Sequence, residues 1–271
     1  MADPQKPFLL TLFTNDPVLA SNADTAGVDR IGLDLEIHNK DFRQSRISNW
    51  ISDHIESDLL GVKNSLRKAK LFVRTNSPHP TLKEEIDRYI DVGAEVLMLP
   101  YFHHPDDAMR FVDYVDGRAE VSLLVETAAS AARIERVLDI PGISDIHIGL
   151  NDLHLSLGMS SHFELLVSPF MEWLCGMLKD SGLHWGFGGI GRANDTDLPI
   201  PSDLVYAQYA YLGGRSALVS RVFTKSNSAP IDMNLEIGKA RMVMDDLFQV
   251  DRRLLQDKRD QLRQLITRFN N

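Results

Sequence analysis

The stretch "LLVETAASAARIERVLDIPGISDIHIGLNDLHLSLG", residues 123–158, holds two short apolar runs that each end in an acid. Leu123, Leu124 and Val125 lead into Glu126; Ile146, His147, Ile148 and Gly149 lead into Asn151 and Asp152. What joins them reads as one helix, so the stretch is strand, helix, strand, the unit of a parallel sheet.

Working outward, runs rich in Val, Ile, Leu and Phe recur at 9–13, 30–34, 71–74, 96–99, 122–125, 145–148, 184–187 and 216–220. The amphipathic segments near 16–26, 50–68, 81–92, 105–115, 128–138, 162–181 and 202–211 read as helices, several opened by an Asp, Ser or Thr able to cap a first turn. Eight such units in about 250 residues predict an α/β protein of the (β/α)8 TIM barrel class rather than an open doubly wound sheet. No Gly-rich dinucleotide fingerprint or phosphate-loop motif is present.

The tail behaves differently. From 231 to 269 there is no proline, and Val243, Leu247, Val250 and Leu254, then Leu262, Leu265, Ile266 and Phe269, recur at three- and four-residue steps. This divides the chain into a barrel domain, 1–230, and a C-terminal helical arm, 231–271. The arm either closes the barrel bottom or packs on another subunit. A tail of about 40 residues is longer than one closing helix needs, which favours the subunit.

Composition sets the outer limits. With 271 residues, 44% apolar and 25% charged, the chain has the make-up of an ordinary globular domain. A net charge of −9 argues against a nucleic-acid surface and against a basic face for anionic membrane lipid, and leaves room for local basic clusters around a small anionic substrate. The first residues, "MADPQKPF", lack a signal pattern, and no apolar run nears the roughly 20 residues of a membrane helix, so a cytoplasmic protein is expected. Cys175, in the apolar "FMEWLCGMLKD", reads as a packed thiol.

In a (β/α)8 barrel the active site lies at the C-terminal ends of the strands. Glu126 ends the fifth strand and Asp152 lies just beyond the sixth, and neighbouring strands about 5 Å apart carry both to one rim. Two close carboxylates repel unless a cation sits between them. A hard divalent ion fits there, because water and substrate oxygens complete its shell. The plainer alternative is that each acid serves the start of the following helix.

"GVDRIGLDLE", "KLFVRTN", "GAEVLMLP" and the opening stretch resemble, in order and from about residue 8 to 222, successive segments of the HpcH/HpaI aldolase and citrate-lyase-β superfamily. The resemblance implies that Glu126 and Asp152 bind Mg2+ or Mn2+. It implies that Arg74, in "VRTN", binds the carboxylate of a pyruvate-like or acyl ligand, the plainer alternative being a salt bridge to Asp34 or Glu36. The expected activity is a divalent-metal-dependent carbon–carbon lyase of the aldolase type, acting on a 2-keto-acid unit through a metal-stabilised enolate. Alternatives are a citrate-lyase-β-like acyl-CoA lyase or thioesterase, and a barrel that binds ligand without turnover. Family members commonly form hexamers through exchanged C-terminal helices, which implies a homo-oligomer, trimer or hexamer, here.

The chain also departs from the family. Pyruvate aldolases place a histidine directly after the strand-2 glutamate, whereas here Ile37 follows Glu36 and His38 comes one residue late. Glu36 and His38 are kept as candidate catalytic groups beside Arg74. Candidate substrate-binding residues are Gly149 and Asn151 after the sixth strand. Gly188, Gly189, Gly191 and Arg192 of "WGFGGIGR" and Arg221 of "LVSR" join them, where such barrels often bind an anion. Lys40, Arg43 and Arg46 could add a basic lip. His103 and His104, adjacent and without a metal-ligand spacing, read as loop histidines.

Overall fold

The computed structural model describes residues 7–37, 52–195, 198–224 and 231–269. His38, Lys40, Arg43 and Arg46 lie outside the described residues. Nine parallel strands form one sheet: β1 (Leu9–Phe13), β2 (Arg30–Asp34), β3 (Lys70–Arg74), β4 (Val96–Leu99), β5 (Glu120–Val125), β6 (Ile143–Ile148), β7 (His184–Phe187), β8 (Gly189–Ile190) and β9 (Ser216–Val219). Their order is β7-β6-β5-β4-β3-β2-β1-β9-β8. The two outermost strands are consecutive in the chain, so the ends of the sheet meet and the result is a nearly closed barrel ringed by helices. All eight expected strand positions are occupied, and the seventh is broken in two. Gly188, at φ +49°, turns the chain between them. Residues before it pair with β6 and residues after it with β9. Arg215 N–H donates to Trp185 O at 2.7 Å and Leu218 N–H to Gly188 O at 3.2 Å across the seam.

Side-chain alternation explains what faces inward. Phe72, Val96, Met98 and Leu124 form a small cluster inside the barrel, with Phe13 packed on it. Their sequence neighbours Leu71, Val73, Leu97, Leu99, Leu123 and Val125 belong to the larger core under the helices. A period of two then carries the inward parity along each strand to Arg74 on β3 and to Glu126 just past β5. On β2, outward Ile31 and Leu33 leave Arg30 and Asp34 facing in; on β6, outward Ile146 and Ile148 leave Asp145 and His147 facing in. Each strand thus delivers its inner row to the mouth.

The helices depart from expectation in several places, among them the segment 50–68, where Asp58–Ser65 alone is helical among the described residues. The segment 128–138 is two short helices, Ala128–Ala131 and Ile134–Leu138, because the backbone at Arg133 leaves helical values. The segment 162–181 divides into His162–Leu166 and Pro169–Asp180 at a proline that Ser168 caps, its hydroxyl accepting from Met171 N–H. An unexpected helix, Leu150–Ser156, follows β6 and holds Asn151 and Asp152 in its first turn.

The tail forms two helices, Met233–Leu247 and Arg252–Phe269, both laid against the chain's own barrel. Met244, Leu247, Leu255, Leu262 and Ile266 are buried there, and Val243, Val250 and Leu265 pack partly on the same core. The chain's own barrel therefore covers much of the stripe, whereas Leu254 is exposed. Arg259 anchors the second helix. It is fully buried, donating to Glu172 Oε1 at 3.0 and 2.8 Å, Gln208 Oε1 at 2.7 Å and Leu166 O at 3.1 Å, with Tyr211 under its guanidinium at 4.8 Å. Arg259→Ala leaves a cavity and strands those acceptors, and is expected to lower the unfolding free energy by roughly 3 kcal/mol in urea titration.

Candidate active site at the barrel mouth

Arg74 is the centre of the charged cluster at the C-terminal ends of the strands. Its Nε and Nη2 donate side by side to Asp34 Oδ1 and Oδ2 at 2.8 and 2.5 Å, a bidentate pair between the ends of β2 and β3. Glu36 Oε2 lies 3.7 Å from Nε, and the guanidinium stands 5.4 Å from the centre of the Phe13 ring. Burial alone would lower the Arg74 pKa, but the carboxylates of Asp34, Glu36 and Glu126 outweigh it and raise it, so the side chain is always cationic. The loop after β3 is fixed by Glu85, which accepts from Asn76 N–H at 2.8 Å and Asn76 Nδ2 at 3.0 Å. Asn76 Oδ1 in turn accepts from Ile37 N–H at 2.8 Å, tying down the chain that follows Glu36.

Glu126 reaches the same cluster from β5. Only 2% exposed, it passes directly over the backbone of Gly149, where an added Cβ would stand 2.7 Å from its Cβ and 2.8 Å from Oε2. Any side chain at 149 would displace the carboxylate. Glu126 Oε1 accepts from Tyr101 N–H at 2.9 Å. Tyr101 holds that amide in place with φ at +47°, a left-handed value costly for a tyrosine, just past the end of β4. Asp152 follows three residues after Gly149 in the first turn of Leu150–Ser156, half-buried, with no side-chain hydrogen bond to a described residue.

This arrangement fits a hard divalent cation. Among the described residues three carboxylates surround the Arg74 guanidinium, and Asp152 adds a fourth beyond Gly149. Among the described residues no three His, Cys, Asp or Glu side chains are grouped to hold a metal by themselves. An ion at Glu126 and Asp152 would therefore draw the rest of its shell from water and substrate, as Mg2+ and Mn2+ sites do. A cavity of about 590 Å³ lies at the other end of the barrel, lined by Leu9, Arg30, Lys70 and Glu120. Two of its cations are paired, Arg30 with Glu120 and Asp145, and Lys70 with Glu120.

The other expected residues are more scattered. Asn151 is exposed at the start of its helix. Gly188 and Gly189 form the kink in the seventh strand, and Arg192 is held by Asp195, from Nε at 3.2 Å and Nη2 at 2.8 Å. Arg221 opens the short helix Arg221–Thr224 at the end of β9. His103 and His104 lie in the loop that leads into the helix Pro105–Val115, and both of their amides donate to Asp107. Sequence reasoning missed Tyr101, whose backbone strain leaves no trace in composition, and His147 and His54. His147 could have been found by parity, since its outward neighbours are both isoleucine.

His147 donates from Nε2 to Gly188 O at 3.0 Å inside the barrel. Burial pushes its pKa down to about 4 from the usual 6.5, so it is neutral. Between those values the unfolded chain binds a proton that the folded barrel refuses, and stability is lost as pH falls through that window, by on the order of 3 kcal/mol. His147→Gln, which keeps an N–H for Gly188, should flatten the slope of urea stability between pH 6.5 and 4. At the rim, Gly149→Ala should weaken divalent binding at least tenfold in calorimetry, as should Glu126→Gln and Asp152→Asn, with far-ultraviolet dichroism unchanged.

Comparisons with known proteins agree with this architecture. A search among curated proteins returns no match. Among solved structures, the chain is similar to an HpcH/HpaI aldolase/citrate lyase family protein from Burkholderia cenocepacia J2315. The two are 21% identical, with 79% of this chain and 88% of that one covered and a TM-score of 0.62. An HpcH/HpaI aldolase from Desulfitobacterium hafniense DCB-2 follows at 17% identity, 79% and 86% coverage and TM-score 0.59. The citrate synthase SbnG is similar at 15%, 79% and 86%, and 0.57. At these identities the likeness is one of fold. The model of the HpcH/HpaI aldolase/citrate lyase family matches residues 8–166, more than half of the chain, and the protein therefore belongs to that family of lyases.

Proposed function

We propose that the chain is a divalent-metal-dependent carbon–carbon lyase that cleaves or forms a bond next to the carbonyl of a 2-keto acid. The observation that carries this is Glu126 laid across Gly149 beside a permanently charged Arg74, at the end of the barrel where such folds do their chemistry. A Mg2+ or Mn2+ ion held by Glu126 and Asp152 would polarise the keto group and balance the charge that develops on its oxygen.

The remaining work falls to the chain's own groups. Arg74, locked by Asp34 along its Nε–Nη2 edge, turns its Nη1 side toward the ligand carboxylate; among the described residues Nη1 makes no hydrogen bond. Preorganisation of this kind lowers the entropy lost on binding. Tyr101 N–H keeps Glu126 from rotating away. Glu36, buried and outside the bidentate pair, is placed to hold the proton that moves when the carbon–carbon bond breaks. The homo-oligomer, trimer or hexamer, belongs to the same proposal and rests on family membership, because much of the tail's stripe is covered within one chain.

Incubating the protein with pyruvate and Mg2+ in D2O and following the methyl protons by NMR tests the central step. Exchange is expected, at least a hundredfold slower in Glu126→Gln and in Arg74→Lys, which lacks the planar fork. Absence of exchange in the unaltered protein from pH 6 to 9, with both pyruvate and Mg2+ in excess, would refute a pyruvate enolate.

A further inference from the structure

The end of β2 is served amide by amide. Asp34 N–H donates to His54 Nδ1 at 3.0 Å, Leu35 N–H to Arg74 O at 3.0 Å and Glu36 N–H to Asp34 Oδ1 at 3.3 Å. A parallel ladder bonds to the same neighbour at every second residue, so after Leu35 the next rung toward β3 belongs between Ile37 N–H and the main-chain oxygen of Asn76. The rung runs to the side chain instead. Asn76 Oδ1 accepts from Ile37 N–H at 2.8 Å, while Asn76 O accepts from the Thr75 hydroxyl at 2.9 Å. A side-chain amide thus adds one rung beyond the end of β3, and Glu36 is held between the rungs at Leu35 and Ile37.

What orients that amide lies outside the barrel. Asn76 could present either its oxygen or its nitrogen to Ile37. Glu85, in the helix Leu82–Val92, decides between them: Oε1 accepts from Asn76 N–H at 2.8 Å and Oε2 from Nδ2 at 3.0 Å, which leaves Oδ1 for β2. His79 Nε2 stands 2.9 Å from the same Oε2, with the Thr81 hydroxyl 3.3 Å from its Nδ1. The chain of contacts is enclosed, with Glu85 4%, Asn76 8% and Glu36 3% exposed. Reversing a donor or acceptor anywhere along it would set two like groups face to face where water cannot relieve them.

We propose that Asn76 and Glu85 are positioning residues for Glu36. The amide, oriented by the acid, fixes the backbone on the far side of Glu36 and with it the place from which that carboxylate moves a proton. Arg74 is held separately by Asp34, so ligand binding and proton transfer depend on different contacts. The inference rests on the proposed function, in which Glu36 takes a methyl proton of the keto acid, the C–H electron pair passes into the enolate, and a solvent-derived proton returns in the reverse step.

Pyruvate exchange in D2O with saturating Mg2+, read by NMR as kcat and KM, tests it. Rates are taken per folded chain, at a temperature where far-ultraviolet dichroism is native, so that lost stability alone moves neither constant. Asn76→Ala removes the rung and leaves the Asn76 main-chain N–H on Glu85; kcat should fall at least tenfold while the KM for pyruvate stays within twofold. Glu85→Gln should do the same, because its single oxygen cannot serve both donors. The double variant Asn76→Asp with Glu85→Gln exchanges acid and amide across the pair and keeps an acceptor for Ile37 N–H, and His79 can meet the new amide by changing tautomer. Its kcat should return to within threefold of the unaltered protein. An unchanged kcat in either single variant, a KM that rises in step with the fall in kcat, or a double variant no faster than Glu85→Gln alone overturns this inference and leaves the proposed function standing. If Asn76→Ala does not fold, Glu85→Gln and the double variant decide. Absence of exchange in the unaltered protein sinks the proposed function, and this inference with it.

Discussion

The mouth of this barrel is organised by one guanidinium. Arg74 cannot lose its charge, and it is held on one edge by Asp34 while Glu36 and Glu126 approach from either side. Three strands end in that cluster, so the ion pair is also the device that sets their ends relative to one another. A charge this enclosed is expensive unless matched, which is why so many carboxylates collect around it. Among the described residues they outnumber it.

Much of the fold was legible because a parallel barrel is buried on both faces of its sheet. Its strands appear as short apolar runs bounded by polar turns, and the eight positions from Leu9 to Val219 follow from that pattern alone. The kink at Gly188 was not legible, since "GFGGIG" offers several glycines and only the closing geometry selects the one that must be left-handed. The tail misled for a related reason. Its stripe signals that something covers it, but periodicity does not say whether the cover is a second subunit or the chain's own helix Ser202–Leu212. The interior place of Arg259 carries the decision, and an arginine amid "DKRDQLR" looks like part of a solvated face.

The site was legible where alternation reached it. Arg74 and Glu126 continue the inner rows of their strands, so once the strands were placed their direction followed. Gly149 was read as a ligand contact, and the geometry makes it the floor on which Glu126 lies. Arg192 was grouped with the anion-binding residues by proximity in sequence, and it is engaged by Asp195. His54 had no motif at all. What marks it is a strand end whose amide goes unserved, a feature that exists only when β1 is known to stop at Phe13.

Two imidazoles near this barrel's axis and rim are neutral for different physical reasons. His147 is neutral because it is buried and spends its one N–H on Gly188 O. At His54 burial lowers the pKa, and the Asp34 amide occupies Nδ1. Under the proposed function, Glu36, buried and 3.7 Å from Arg74 Nε, is the candidate among the described residues for moving the proton. The family's adjacent histidine is replaced here by Ile37, whose side chain is 63% exposed and carries no proton.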